Sequence, residues 1–343
     1  MRYFLIIRHY NIMKLNIFFI ILFGVLLAAC GETTRNGKPL DTPTSGQITI
    51  GVDESFQPLM MAEFDGFHFT YKDAKIKALY KPESEIIGEL LRDSIRMAVV
   101  SRDLTAEERE EFKRQTIVPR SYKIAVDAVC LIVNNKNLDS AYTVQQIADM
   151  MTGKTKKWSE LNPKNIKDSI RIVFDNNNSS NLSFMKTKLK LSNDFLIGKH
   201  IFALNSNTEV MEYVNSHPNS MGVIGISWIT DSSANEKEVR RFMKDNKVLA
   251  IVPDSTAQKV GNIHTDLDLN RYIPAQANIA RKLYPFSRTV YMLSREARSG
   301  LGSGFASYIL GDQGQRIVLK AGLLPFTMPI RLVELKKMNI EKE

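Results

Sequence analysis

Apolar and polar positions alternate through the chain in two rhythms, a period of two and a period near 3.6, and the switches between them mark the elements. Gln47 to Val52 alternates and predicts a strand, after which Asp53-Glu54-Ser55 opens a helix beginning near Phe56. Ile76 to Tyr80 predicts a second strand, and Pro82-Glu83-Ser84 opens a helix over Glu85 to Arg92. Met97 to Val100 predicts a short buried strand, and Ile124 to Val133 a long apolar one. Thr105 with Glu108, and Thr143 with Gln146, have the spacing of capping boxes and each predicts a helix start. Further strands are expected at Arg171 to Phe174, Val223 to Trp228, Val248 to Val252 and Arg288 to Leu293. Helices are expected over Leu182 to Leu191, Leu301 to Leu310 and Gln313 to Ala321, the last stopped by Gly322. Strands alternating with helices imply an α/β fold with mostly parallel strands.

The first thirty residues follow another logic. Arg2, Arg8 and Lys14 are the charges before Cys30, and Ile17 to Leu27 is almost wholly apolar. That run of about eleven residues is short against the roughly twenty a spanning helix needs. A basic start, a short apolar run and small residues before a cut describe an export signal. Leu27-Ala28-Ala29-Cys30-Gly31 has the form of a lipobox, in which Cys30 is acylated and becomes the new N-terminus. The competing reading is a plain secretory signal or an anchoring helix with a chance Cys. Met13-Lys14 is the expected true start. Residues 31–46, rich in Gly, Pro and Thr, read as a flexible tether, and 331–343 as a charged tail.

Without residues 1–29 the net charge falls by three, from +9 to +6. A modest surplus suits a Lys-rich solvated surface, or a field that draws small anions. No basic block with interleaved aromatics points to nucleic acid. Of the two Cys, Cys30 goes to lipid and Cys130 sits in the apolar run Ala128 to Val133, so a buried free thiol is expected and a disulfide framework excluded. The five His are scattered without metal-ligand spacing, so no metal is expected. Gly225-Ile226-Ser227 lacks the second Gly of a nucleophile elbow, and Thr152-Gly153-Lys154-Thr155 lacks the earlier Gly of a P-loop. No catalytic set and no cofactor are expected.

One device repeats. Three strands lead into helices that begin with hydroxyl or amide side chains: Ser55, Ser84, and Ser179-Ser180-Asn181. Ordinary capping accounts for each alone. Together they also describe an oxyanion site, because free N–H groups at helix starts gather at the carboxyl edge of an α/β sheet.

Several ordered stretches carry a resemblance: Met97 to Thr105 with Glu107-Glu108; Ile124 to Asn134; Thr152-Gly153-Lys154 with Trp158-Ser159-Glu160-Leu161; Asn219 to Trp228; Tyr284-Pro285-Phe286-Ser287-Arg288; and Gly311 to Gln315 with Gly322 and Pro325. Over about residues 46–328 the chain resembles the PstS-type substrate-binding proteins of phosphate ABC transporters, within the periplasmic binding protein superfamily. The resemblance implies two α/β lobes around a cleft, joined by crossing strands: residues 46–126 plus 247–330 as one lobe and 127–246 as the other. It implies capture of phosphate by hinge closure, delivery to a membrane permease, no catalysis, and a monomer. The ligand-binding positions it implies are Ser55, Ser84, Ser101, Arg102, Asp175, Ser179, Ser180 and Asn181.

The chain departs from the family most in the loop Asp175 to Asn181, where Asp175 replaces an Arg, Ser180 a Gly and Asn181 a Thr. An unpaired carboxylate 4 Å from a unit negative charge opposes it by about 4 kcal/mol at an effective dielectric of about 20. The expectation is therefore that Arg102 supplies the missing cation, and that Asp175 pairs with Arg102 or accepts the proton of HPO₄²⁻. The alternative is that Asp175 caps its own Asn-rich turn. Two other functions remain open on sequence: a binding or sensor lipoprotein of the same fold for a different small anion, and an exported hydrolase.

Overall fold

The computed structural model describes residues 41–191, 200–230, 236–253 and 271–329. The chain divides into two units, 1–42 and 43–343, and the sheet and its helices belong to the second. The lipobox at Cys30, the start of the tether and the charged tail lie outside the described residues.

The strands form one mixed sheet in two wings. In the first wing β1 (Gly46–Asp53) lies between β2 (Ala74–Lys81) and β3 (Met97–Val100), parallel to both. In the second, β6 (Arg171–Phe174) lies parallel to β7 (Ile201–Ala203) and β8 (Ser220–Gly225). The wings are joined through the long β4 (Arg120–Asn134). Its first half pairs antiparallel with β11 (Ser287–Ser294), which also pairs with β3; its second half pairs antiparallel with β8. The order is β2-β1-β3-β11-β4-β8-β6-β7. Strands within each wing are parallel, as the alternation of strand and helix predicts. The central pairings are antiparallel, so the sheet as a whole is mixed rather than mostly parallel.

The segment expected as one strand over Val248 to Val252 divides at Leu249. β9 (Asn246–Val248) pairs with β4, while β10 (Ala250–Val252) pairs parallel with β5 (Ala141–Thr143). The two-residue β12 (Leu324–Pro325) also joins β4.

Helices cover the sheet. A 3-10 turn (Glu54–Phe56) leads into α1 (Gln57–Thr70), and α2 (Glu83–Leu91) follows β2. Both expected capping boxes form, Thr105 with Glu108 at α3 (Ala106–Arg114) and Thr143 with Gln146 at α4 (Val144–Met151). The short α5 (Trp158–Leu161) places Trp158 in the core, its Nε1 donating to the Asn219 carbonyl. α6 (Ser180–Lys188) follows β6, and α7 (Asn207–Ser216) and α8 (Glu236–Asp245) complete the second wing. α9 (Gln276–Ala280), α10 (Leu301–Leu310) and α11 (Asp312–Lys320) return to the first.

The core follows the pattern of the strands. Ile48, Ile50 and Val52 of β1 are buried, and so is every residue of β3, as a strand covered on both faces requires. Each such side chain contributes on the order of 1.5–3 kcal/mol relative to exposure. Cys130 is buried and free, its thiol pushed up well above the ordinary range by burial. The two parallel wings leave the carboxyl ends of β1, β2, β3, β6 and β7 as helix-entry points, and these carry the polar residues of the next section.

Candidate binding site

Asp53 ends β1 and is almost completely buried. Its Oδ1 accepts from the Ser55 amide at 2.9 Å, which turns the chain and directs Ser55 inward. The Ser55 hydroxyl lies 3.2 Å from the Ser180 hydroxyl and 3.4 Å from Asp175 Oδ2. Trp228 Nε1 donates to the Ser55 carbonyl at 3.1 Å. The turn after β1 thus meets the helix start after β6 and the 3-10 turn after β8.

At that helix start each residue of the Ser179-Ser180-Asn181 triplet has a separate task. Ser179 caps α6, its hydroxyl accepting from the Leu182 amide at 3.1 Å. Ser180 donates to Asp53 Oδ1 at 3.0 Å. Asn181 donates from Nδ2 to Asp175 Oδ1 at 3.2 Å. Asp175, at the end of β6, also lies 3.3 Å from Asn207 Nδ2. Burial and then the neighbouring Asp53 push the Asp175 carboxyl up to about 6.

The structure brings Ser55, Asp175, Ser180 and Asn181 into one contact set. It treats the remaining expected residues differently. Ser84 is exposed in the first turn of α2, and its neighbour Glu83 is buried instead. The Glu83 carboxylate accepts from the Ser101 amide at 2.5 Å, so a side-chain carboxylate holds the main-chain donor offered at that loop. Burial and then Asp53 raise the Glu83 carboxyl, against the hydrogen bonds from Ser101 and the field of Arg288. Arg102 forms a two-pronged pair with Glu108 at 2.9 and 2.8 Å and donates to the Asp103 carbonyl at 3.0 Å. The expected Asp175–Arg102 pair is therefore replaced. Glu108 sits in the first turn of α3, where the capping box fixes its carboxylate beside Arg102, and Asp175 takes neutral donors instead.

Arg288 is the buried cation in contact with Ser180 and Asn181, while Lys81 lines the adjoining cavity and Arg102 lies 3.6 Å from Glu83. The Arg288 side chain is 3% exposed. Nε donates to Asp127 Oδ2 at 2.9 Å, Nη1 to the Ser180 hydroxyl at 3.1 Å and Nη2 to Asn181 Oδ1 at 2.9 Å. The guanidinium carbon lies 5.0 Å above the Phe56 ring, a cation–π distance. Arg288 and Asp127 are direct partners across the β11–β4 ladder. In the sequence Arg288 stands out as the start of an expected strand and as part of a family mark, with no binding role attached. The available signal was a single Arg in β11 and a single Asp in the otherwise apolar part of β4, since charges in such runs are seldom buried unpaired.

Arg288 is surrounded by acid. Asp53, Asp127 and Asp175 are at most 3% exposed and Glu83 is 6% exposed. Glu54 faces the same cluster and is pushed up to about 8 by burial and then by Asp175. A cavity of about 100 Å³ lies among Asp53, Glu54, Lys81, Asp175 and Ser179. A single water needs roughly 10–15 Å³ by such a measure, so a small ion with several oxygens fits. Among the described residues no cluster of His, Cys, Asp and Glu is placed to hold a metal ion.

Known proteins are similar to this chain in sequence and in fold. Residues 38–313 match the family model of the PBP superfamily domain. The phosphate-binding protein PstS of Bacillus subtilis (strain 168) is 22% identical over 312 residues, 89% of this chain and 91% of the relative. A Clostridium perfringens protein assigned as a phosphate ABC transporter substrate-binding protein, solved with bound phosphate, superposes with a TM-score of 0.65 at 22% identity, over 82% of this chain and all of that one. An ABC-type phosphate transport receptor from Vibrio cholerae superposes with a TM-score of 0.59 at 17% identity, again over 82% and 100%. The match to the family model spans most of the chain and includes every residue of the site just described: the chain belongs to the PBP (periplasmic binding protein) superfamily, with a two-lobed α/β fold.

Proposed function

We propose that this chain is the substrate-binding protein of an ABC importer and captures inorganic phosphate between its lobes. The lobes correspond to the two wings, with β9 and β10 moving with the second because they pair with β4 and β5. The observation that carries the reading is Arg288, a buried guanidinium on a crossing strand that fixes Ser180 and Asn181 at the start of α6, opposite Ser55. Donors and a cation fixed before the ligand arrives reduce the cost of ordering on binding. The named relatives, phosphate-binding proteins by designation, support phosphate as the ligand. The site holds, orients and releases; it has no assembled nucleophile and base among the described residues.

Acylation of Cys30, with residues 31–46 as a tether, would hold the receptor at a membrane as a monomer facing the permease. Among the described residues no helix is long and apolar enough to cross a membrane.

The five carboxyls around one guanidinium favour a second reading, a different small anion or a strictly protonated one. An ionised carboxylate accepts the O–H of a protonated oxyanion, whereas sulfate has no proton to offer and is repelled. Calorimetric titration with phosphate and with sulfate separates the cases. Phosphate should bind one to one and sulfate should not. Binding of neither would contradict phosphate capture and leave the fold intact. Arg102→Ala should bind phosphate as the unaltered chain does, because Arg102 is taken up by Glu108 and, at 3.6 Å, by Glu83.

A further inference from the structure

Glu54 joins the two lobes at a point the binding residues do not account for. It stands in the turn after β1, and both its oxygens meet Asn207 at the start of α7: Oε1 accepts from the Asn207 amide at 3.1 Å, and Oε2 accepts from Nδ2. The same Nδ2 lies 3.3 Å from Asp175 Oδ2. One side-chain amide is thus shared between carboxyls of opposite lobes. Asn207 is fully buried and its Oδ1 has no hydrogen-bond partner. Glu54 is also the common wall of two spaces, the inner cavity of about 100 Å³ beside Asp53 and Asp175, and a groove of about 660 Å³ beyond it along α1, α7 and α8.

A buried acceptor left empty beside an acid is the arrangement a proton completes. With the amide turned, Asn207 Oδ1 takes the place of Nδ2 between the two carboxyls and accepts the O–H of a protonated Glu54 and, on its other side, that of a protonated Asp175. With Glu54 ionised, two carboxylates face each other across one amide in a site of low dielectric, and the lobes repel.

The geometry points to a proton-operated clasp: Glu54, Asn207 and Asp175 hold the lobes together when the acid pair carries a proton, and release them when it does not. This rests on the reading of the cleft as a hinged anion site and adds its regulation, coupling capture and release of the ligand to protons.

The charges facing the clasp agree in sign. Asp53 lies on its own turn, Glu83 at the start of α2 and Asp127 on β4, and Arg288 on β11 answers them but is already paired. On the groove side Glu212 of α7 and Glu238 and Asp245 of α8 outnumber Arg241. Lys81 lines the cavity and pairs with Glu89. Burial is the first cause, and Asp175 the second, that moves Glu54 from 4.5 to about 8. The closed form therefore holds the extra proton between those values, and closure weakens as pH rises through that window.

Small-angle scattering of the purified, phosphate-free protein tests the clasp. The radius of gyration should increase on going from about pH 6 to about pH 9. Glu54→Gln, which mimics the protonated acid, should stay compact throughout. A radius that does not change with pH, or a Glu54→Gln protein that expands as the unaltered one does, would overturn the clasp. The same samples titrated with phosphate keep the two readings apart: absence of phosphate binding at every pH contradicts the ligand, while the clasp stands or falls on the scattering.

Discussion

Arg288 and Asp127 set the terms of the site at the scale of single residues. Breaking a buried pair by removing one partner leaves a charge without compensation and costs about 3–5 kcal/mol. Arg288→Met alone should lower stability by that order in urea unfolding. Replacing both, Arg288→Met with Asp127→Leu, should recover part of the loss, because Asp127 no longer stands unpaired while Ser180, Asn181 and Glu83 still lose the guanidinium. Recovery of stability without recovery of phosphate binding would show that the pair is kept for function. Glu63 on α1 is a second buried acid, with both oxygens unpartnered and its carboxyl held well above the ordinary range by burial. Glu63→Met should stabilise the fold by about 1–3 kcal/mol, the cost of an unsatisfied buried polar group. The folded state holds a proton there that the unfolded state has released above its ordinary value of 4.5, so stability falls as pH rises from that value. In Glu63→Met this part of the pH dependence should be missing from urea midpoints. Ser55, Ser180 and Asn181, which the structure brings together, stood out because each lies where a strand meets a helix, and Asp175 because its loop departs from the family pattern. Arg288 was not legible as part of the site, because its role depends on the β11–β4 register, which brings it opposite Asp127.

Elements were legible where local chemistry decides them. Thr105 and Thr143 name their helices through reciprocal caps, and both caps form. Thr105→Ala should cost about 1 kcal/mol in thermal or urea unfolding. It should also loosen Glu108, whose Oε2 accepts from the Thr105 amide and from Arg102. Gly322 ends α11 with a φ of +85°, which an L side chain adopts at a cost, and a Cβ there would lie 2.2 Å from Thr230 Oγ1. Gly322→Ala should therefore destabilise by more than about 1 kcal/mol in the same measurement. α7 went unread, although Ser206 and Glu209 have the spacing of a cap and Ser206 accepts from the Glu209 amide at 3.2 Å. The strand at Val248 to Val252 was read as continuous because apolar residues fill it. Its division depends on which strand each half meets, β4 or β5, and no local pattern carries that information.

For the whole molecule, the alternation of strands and helices implies an α/β sheet but leaves its direction at the centre open. β4 changes partner from β11 to β8 between Ala128 and Val129, and that change makes two wings of one sheet. Asp127 sits beside the change and binds Arg288, so the strands that cross between the wings and the start of α6 are one connected group. In the proposed mode of capture, a ligand held by Ser55 on one lobe and by Ser180 and Asn181 on the other would be bound fully only when the lobes meet. The acid groups around it resist a fully ionised dianion and accept a protonated one. On the proposed function phosphate and protons arrive together, and calorimetric measurement of phosphate affinity across pH tests this most directly. The predicted result is one-to-one binding that strengthens as pH falls from about 8.5 to about 6, through the range in which Glu54 and Asp175 gain their protons. Affinity that weakens over that range, or no binding at either end, would contradict it.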